Sequence, residues 1–422
     1  MRQVMIIAVG SRGDVDPCTG VGARLRAEGH RVTIAADRAF ERLVTAAGLE
    51  FRPLWTRLRD QGGAAEETSQ GYARDGLFSR SGLDMLAAAR QFIRETNANV
   101  AEIAADPSVN VLLFNALGAA AYHVARARGI PSAGLHLQPQ LPTAEFPPTL
   151  FGRSLGRFGN RAAWAAHRLT ERSMFGNINE IRAEHGLPPT TLAATRREQA
   201  ATAWPMLHGF SRHVVPRPPD WRPGAEVVGY WWPSVPAGWT PPEELRQFLD
   251  AGTAPVFVGF GSADPGDAPR ISAIVAGALR SAGRRGVIQA GWADLAVRGD
   301  DLLTIGEVPH EWLFPRVAAV VHPGGAGTTA AGLRAGVPTV PVPMTGDHPF
   351  WAARLTALGV SPGPVPFKQL TEERLADAIR AAVDEPRYAR AAKSIAADIA
   401  TEDGAAEVAR QVERLVRLGE PH

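Results

Sequence analysis

Short apolar runs alternate with stretches of helical periodicity from the beginning of the chain. Residues 4–9 are apolar throughout and predict a buried strand, and residues 10–14 after them predict a loop. Residues 17–28 carry apolar positions at helical spacing and end at Gly29, after which residues 31–35 predict a second strand. This order of strand, helix and strand predicts a βαβ unit.

The second half of the chain repeats this order. Residues 255–260 predict a strand, residues 269–282 a helix, and residues 287–290 and 302–305 two more strands. A further apolar run, residues 317–321, precedes a glycine-rich loop. The two halves together predict an α/β fold of two doubly wound, Rossmann-like domains.

A proline-dense segment separates the two halves and is too stiff and irregular for a helix. We therefore predict an N-terminal domain of residues 1–215, a connector of residues 216–242 and a C-terminal domain of residues 243–395. Residues 396–422 predict a C-terminal helix, for which packing back on the N-terminal domain is one arrangement. Within the first domain, residues 51–76 are polar and glycine-rich and predict a mobile loop.

Composition narrows the partners and the compartment. The chain has 45 Lys and Arg residues and 43 Asp and Glu residues, so its formal net charge is only +2. A charge this small gives no electrostatic indication of nucleic-acid binding. Its one cysteine, Cys18, excludes an internal disulfide and a cysteine metal cluster and fits a reducing cytoplasm. No apolar run has the length of a membrane span, although a lipophilic partner would bring the protein into transient contact with a membrane surface. The sequence leaves the oligomeric state open.

The glycine-rich loop is the strongest candidate for ligand chemistry. Gly324, Gly325 and Gly327 allow a ligand to approach the main chain, and the helix that follows offers free N–H groups and a positive dipole end. The side chains of His322 and Thr328 are able to donate further hydrogen bonds to the same anion. We expect the ligand to be a phosphate or a diphosphate.

Two other interpretations of this loop compete with the phosphate site. A tight turn between a strand and a helix also uses glycine without binding anything. Residues 325–330 also fit the dinucleotide fingerprint, with Asp347 at about the distance of its acidic residue. We disfavour a nicotinamide cofactor, because Asp347 lies beyond Pro341 and Pro343 in a loop and not at the end of a strand.

Asp14 stands between the first predicted strand and Pro17, which suits a first helical turn. An aspartate at this position commonly caps a helix. It also lies at the carboxyl end of a strand, where catalytic groups of doubly wound folds are found. Position alone leaves both roles open.

Six segments of the chain, in order, resemble the GT-B fold glycosyltransferases, and within them the sterol glucosyltransferases and the vancomycin-type antibiotic glycosyltransferases of bacteria. The segments are GSRGDVDP (10–17), VVGYWWP (227–233), PVFVGFGS (255–262), GEVPHEWLF (306–314), HPGGAGTTAAGL (322–333) and GDHPFWA (346–352). The resemblance implies two Rossmann-like domains that face each other across a cleft. It also implies metal-independent, inverting transfer of a hexose from a UDP- or TDP-sugar, a co-substrate and not a cofactor, to a hydroxyl of a lipophilic acceptor such as a sterol or macrolide.

The resemblance further implies roles for single residues. Asp14 would be the general base, supported by the loop residues Ser11, Arg12 and Gly13. The residues that would bind the donor are Ser262, Val308, His322, Gly324, Gly325, Ala326, Gly327, Thr328, Asp347 and His348. Among them, the main chain of Val308 would contact the nucleotide base and Asp347 would contact the sugar hydroxyls. His348 departs from the family pattern, which has glutamine there, so the donor sugar stays open.

The predicted acceptor side is less specific. Residues 136–148 are proline-rich and predict one wall of the acceptor cleft, with His136, Gln138 and Glu145 as candidate contacts. A structural or surface role competes with acceptor binding for His136 and Glu145. Two other functions also stay open at this point: a sugar-nucleotide epimerase of the same fold, and a non-catalytic nucleotide-binding homologue.

Overall fold

The computed structural model describes residues 1–55, 80–235, 238–261, 267–291, 295–297 and 299–418. Most of the loop predicted at residues 51–76 lies outside these ranges, and so does Ser262. The described residues form one parallel sheet in each half of the chain, of seven and five strands. This confirms the predicted α/β fold of two doubly wound domains.

The first sheet has the strand order β3-β2-β1-β4-β5-β6-β7, and every neighbouring pair in it is parallel. Its strands are β1 (Gln3–Ile7), β2 (Arg31–Ala36), β3 (Glu50–Pro53), β4 (Val111–Phe114), β5 (Ser132–His136), β6 (Met206–His208) and β7 (Ala225–Val227). Its helices are α1 (Arg12–Ala27), α2 (Glu41–Ala46), α3 (Arg80–Ala104), α4 (Ala120–Arg128), α5 (Gly156–Met174), α6 (Ile178–Glu184) and α7 (Leu192–Ala201). Val4 and Ile6 pack into the core on one face of the sheet and Met5 and Ile7 into the core on the other, which explains the continuous apolar run in the sequence.

The second sheet has the order β10-β9-β8-β11-β12 and is also parallel. Its strands are β8 (Val256–Gly259), β9 (Gly286–Gln289), β10 (Leu302–Ile305), β11 (Ala319–His322) and β12 (Thr339–Pro341). The helices of this half are α8 (Glu243–Asp250), α9 (Ala268–Ser281), α10 (His310–Leu313), α11 (Ala326–Ala335), α12 (His348–Ala357), α13 (Glu372–Asp384), α14 (Pro386–Ile399) and α15 (Gly404–Leu418). Within the described ranges, none of the helices combines the length and the apolar content needed to cross a membrane.

The start of one helix and the presence of two strands differ from the sequence-based prediction. Helix α1 begins at Arg12 and not at Pro17, so that Asp14 lies in its first turn. Strand β7 falls inside the segment that we assigned to the connector. This short stretch between two proline clusters pairs with β6 at the edge of the first sheet. Strand β3 similarly falls inside the predicted loop.

An apolar cluster joins the two domains. Phe146 of the first domain meets Phe350 of the second edge to face, with ring centroids 5.4 Å apart, and Phe210 meets Trp351 at 5.9 Å. The guanidinium of Arg354 in α12 donates from Nε to the main-chain oxygen of Val214 at 2.9 Å. These contacts hold the carboxyl edges of both sheets toward one cleft.

The C-terminal helix α15 returns to the first domain. Its buried residues Val408 and Val412 belong to the same core as Leu25 and Val21 of α1. Arg24 of α1 forms an ion pair with Asp403, just before α15, at 3.1 Å. The end of the chain is therefore part of the N-terminal core.

We predict that Leu25→Ala lowers the free energy of unfolding by about 2–5 kcal/mol, since Leu25 is fully buried between the sheet and α15 and its removal leaves a cavity. Arg24→Ala, the adjacent position, is the control: its ion pairs are exposed and each contributes about 0–1 kcal/mol. Urea unfolding followed by circular dichroism measures both. Equal losses in the two variants would contradict the packing of α15 on α1.

Candidate active site

The loop after β1 holds the carboxylate of Asp14 in a fixed position. The main-chain N–H of Ser11 donates to Asp14 Oδ2 at 2.8 Å, and the Ser11 hydroxyl donates to the same oxygen at 3.1 Å. Gly10 has a φ of +141°, and a Cβ on it would lie 2.3 Å from Asp14 Oδ2, so the close approach of loop and carboxylate requires glycine here. Gly13 is exposed in the first turn of α1.

Burial raises the pKa of Asp14 from 3.8 to about 6. The two hydrogen bonds from Ser11 favour the ionised form and limit this rise, whereas the negative charge of Asp347 in the other domain adds to it. The result is a carboxylate that is more basic than usual and still largely ionised at neutral pH. Asp14 is thus a member of the helix cap and also a carboxylate of raised pKa, and its role as a base stays a prediction.

The glycine loop after β11 fixes the tautomer of His322. The main-chain N–H of Gly324 donates to His322 Nδ1 at 3.1 Å, so the proton of the neutral ring is on Nε2. That Nε2–H is buried and has no hydrogen-bond partner in the described protein. Burial, with smaller contributions from His348 and His310, lowers the pKa of His322 to about 3, so the ring is a neutral donor at physiological pH.

Helix α11 begins directly at this loop. Its N-cap is Gly325, which has no side chain to bond the N–H groups of the first turn. Ala326 and Thr328 are partly exposed in that turn and Gly327 is exposed, with open space around the position of a Cβ. The loop, the N–H groups of the first turn and the His322 Nε2–H together offer unpaired hydrogen-bond donors of the kind that suit an anion.

His348 packs against the glycine loop, and Asp347 precedes it at the start of α12. Asp347 Oδ2 accepts a hydrogen bond from the indole of Trp351 at 2.6 Å, which fixes the carboxylate at the start of α12. A Cβ on Gly324 would come within 3.1 Å of the His348 carbonyl oxygen, and Gly324 has a φ of +99°. The loop therefore packs too closely against His348 for any residue but glycine at position 324.

The loop that contains Val308 forms another side of the cleft. The Val308 side chain is buried in a core with Phe257 and Leu313, which anchors the loop. Its main-chain N–H and C=O take no part in hydrogen bonds among the described residues. Gly306 and Glu307 before it are exposed.

The loops of the two domains face each other. Arg12, beside Asp14, forms an ion pair with Glu307 of the second domain, and Asp347 acts on the pKa of Asp14. The loop after β1 and the glycine loop after β11 also lie where the strand order of their sheets reverses, between β1 and β4 in the first sheet and between β8 and β11 in the second. Ligands of doubly wound folds bind at this position of the sheet.

Two cavities in the first domain adjoin each other, and the smaller one reaches Asp14. The smaller, of about 230 Å³, is lined by Asp14, Gln138 and Trp231, among others. The larger, of about 450 Å³, extends between the sheet and helices α3, α5 and α7. His136 and residues 115–117 line both. The structure thus brings His136 and Gln138 together with Asp14.

The chain is similar in sequence to known protein families and to individual proteins. Residues 4–147 match the glycosyltransferase family 28 N-terminal domain, and residues 289–415 match the erythromycin biosynthesis protein CIII-like C-terminal domain. The chain is 35% identical to the O-mycaminosyltylonolide 6-deoxyallosyltransferase of Streptomyces fradiae, over 95% of this chain and 94% of that protein. The chain belongs to the GT-B glycosyltransferases.

A sterol glucosyltransferase and a solved glycosyltransferase structure are also similar to this chain. The chain is 33% identical to a sterol 3-beta-glucosyltransferase of Arabidopsis thaliana over 96% of its own residues, but it spans only 64% of the length of that relative. A crystal structure of a Streptomyces sp. SF2575 glycosyltransferase in complex with thymidine diphosphate superposes with a TM-score of 0.63 at 21% identity, covering 98% and 100% of the two chains. None of these relatives is an epimerase, so that alternative has no support.

One predicted site residue of this glycosyltransferase lies elsewhere. Glu145 lines neither cavity; its side chain is exposed and forms an ion pair with Arg157 at 2.7 Å. The sequence reasoning also missed cavity residues. Asn115 directly follows β4 and was detectable by its place at the carboxyl edge of the sheet, whereas Thr195 and Arg222 meet only through the tertiary fold.

In the described residues, no cluster of His, Cys, Asp and Glu has the arrangement of a metal site.

We predict that Asp14→Asn stabilises the protein at pH 8 by about 1–2 kcal/mol. The pKa of Asp14 is higher in the folded than in the unfolded protein, so ionisation of this carboxyl lowers the free energy of unfolding of the parent as the pH rises from about 4 to about 6. The advantage of the variant should narrow as the pH falls through 6. Urea unfolding at pH 5 and pH 8 measures both values. A variant that is less stable than the parent at pH 8 would show that Asp14 is mainly a structural helix cap.

Proposed function

We propose that the chain is an inverting glycosyltransferase that moves a hexose from a nucleoside-diphosphate sugar to a hydroxyl of a lipophilic small molecule. The observation that carries this proposal is the pairing of a basic carboxylate, Asp14, with an anion site around His322 on the opposite wall of the cleft. The names of the family members support the reaction class, and the thymidine diphosphate in the SF2575 structure supports the ligand class of the anion site.

Asp14 is the general base in this proposal. Both hydrogen bonds from Ser11 go to Oδ2, which leaves Oδ1 for the acceptor hydroxyl. A pKa of about 6 makes the carboxylate a stronger base than an ordinary aspartate while most of it stays ionised at pH 7. As the hydroxyl oxygen attacks the anomeric carbon, its proton passes to Asp14.

The diphosphate leaves from the opposite face of the sugar and keeps the electron pair of the broken bond. The N–H groups at the start of α11 and the Nε2–H of His322 stabilise the charge that develops, with Gly324, Gly325, Ala326, Gly327 and Thr328 as the residues of the cradle. Because these donors are part of the chain, we propose that transfer needs neither a metal ion nor a cofactor. Activity that survives EDTA would support this.

The remaining donor contacts are assigned by position. Asp347 and His348 would contact the sugar, and the main-chain groups of Val308 would contact the nucleotide base. Ser262 lies outside the described residues, and its assignment to the diphosphate rests on the sequence alone. Turnover of a panel of UDP- and TDP-sugars, with wild type and His348→Gln compared, identifies the nucleotide and tests whether His348 sets the choice of sugar.

Asp14→Asn should lower kcat by about 10²–10⁴ while nucleoside diphosphate binds as before, because the amide cannot take the proton. In the parent enzyme, kcat/KM should fall as the pH drops through about 6. Release of nucleoside diphosphate that depends on added acceptor is the assay, and Asp250→Asn, at an exposed position of helix α8, is the control. Unchanged turnover in Asp14→Asn would falsify the assignment of the base.

His322→Ala should weaken binding of the nucleoside diphosphate by about 10–100-fold, the usual value of a hydrogen bond to a charged group. The ratio of the two dissociation constants should stay constant between about pH 6 and pH 8, since the ring is neutral throughout. Calorimetric titration measures both, with His185→Ala as a control outside the cleft. A ratio that grows as the pH falls would mean that a charged imidazolium binds the diphosphate.

A further inference from the structure

The larger cavity contains polar atoms that the protein itself does not satisfy. Its walls are largely apolar, with the rings of Phe114, Trp204 and Trp221 among them. Three of its lining side chains nevertheless carry a buried nitrogen or oxygen with no hydrogen-bond partner in the described residues; they are His136, Thr195 and Arg222. Buried polar groups are rarely left unpaired unless a ligand or a water pairs with them.

Arg222 is held so that one nitrogen stays available. Its Nη1 donates to the main-chain oxygens of Trp204 at 2.7 Å and Pro223 at 2.8 Å, and its guanidinium carbon lies 5.9 Å from the centroid of the Trp204 ring. These contacts fix the planar group, and Nη2 remains a charged donor without a partner in the described protein. A fixed, charged donor in an apolar wall selects for an oxygen acceptor.

His136 stands where the two cavities meet. It is 7% exposed, and its ring lies over Gly134, where a Cβ would come within 2.6 Å of Nε2. His208 lies behind it with ring centroids 5.7 Å apart, and His208 donates from Nδ1 to the Glu226 main-chain oxygen at 3.1 Å. His136 is neutral because burial lowers its pKa to about 4, so its ring offers one donor and one acceptor.

Thr195 is the third unpaired group. It lies on α7, is 6% exposed, and its hydroxyl oxygen has no partner among the described residues. The hydroxyl is able to donate as well as accept. Together the three side chains offer hydrogen bonds from three separate elements of the first domain, the end of β5, helix α7 and the loop before β7.

We propose that the acceptor is a polyoxygenated aglycone, with hydroxyl or carbonyl oxygens along its body, and not a sterol. This inference rests on the proposed function, which brings the reacting hydroxyl to Asp14. A sterol whose one hydroxyl reaches Asp14 presents only hydrocarbon to His136, Thr195 and Arg222, and leaves all three desolvated and unpaired. A site built to hydrogen-bond oxygen atoms discriminates strongly against a ligand that lacks them.

Equilibrium binding of two probes tests the inference, with quenching of tryptophan fluorescence as the signal because Trp204 and Trp221 line the cavity. The probes are cholesterol and erythronolide B, a hydroxylated macrolactone, both delivered from the same cyclodextrin carrier. The wild type should bind the macrolactone about tenfold or more tightly than cholesterol. Thr195→Val and His136→Phe should each weaken macrolactone binding about three- to thirtyfold and leave cholesterol binding unchanged or stronger.

Thr401→Val, at an exposed position far from the cavity in sequence, is the matched control and should change neither constant. Cholesterol binding as tight as macrolactone binding in the wild type overturns the inference, and so do equal losses of both ligands in the two variants. Release of nucleoside diphosphate is recorded in parallel. Discrimination in binding without any acceptor-dependent release would refute the proposed function and leave the assignment of the cavity intact.

Discussion

Apolar packing between the domains is the interaction on which the site depends. The carboxylate of Asp14 belongs to the first domain and the glycine loop to the second, and their relative position is set by the cluster that includes Phe146, Phe350 and Trp351. Trp351 contributes twice, because its ring packs in that cluster while its N–H holds the carboxylate of Asp347. The contact that joins the domains therefore also orients a group that faces the cleft.

Desolvation determines the electrostatic character of the cleft. It raises the pKa of Asp14 and lowers those of His322 and His136, so that a base becomes stronger and two imidazoles stay neutral. A neutral imidazole with one nitrogen already engaged is a directed donor, as in His322, where Gly324 occupies Nδ1. The same burial that costs stability at Asp14 provides a carboxylate suited to proton transfer near neutral pH.

The fold was largely readable from the sequence because apolar runs and glycine positions are local signals. The strands from β8 to β11 lie within a residue or two of their predicted ends, and the loop after β11 forms the expected turn into a helix. The start of α1 was misplaced because Pro17 suits a first turn but is also tolerated further inside, where Ser11 caps the helix. Cavity residues such as Thr195 and Arg222 had no local signal, since they are defined by partners distant in sequence.

The return of α15 to the first domain has a consequence for recombining these enzymes. A chimera made by exchanging everything after the connector would carry a foreign α15 onto the native α1, and would thereby mismatch a core that includes Leu25 and Val412. A crossover just before Gly404, in addition to the one in the connector, keeps each hydrophobic core from a single parent. The structural modules of this chain are thus discontinuous in sequence, and the last helix has to be inherited together with the N-terminal domain.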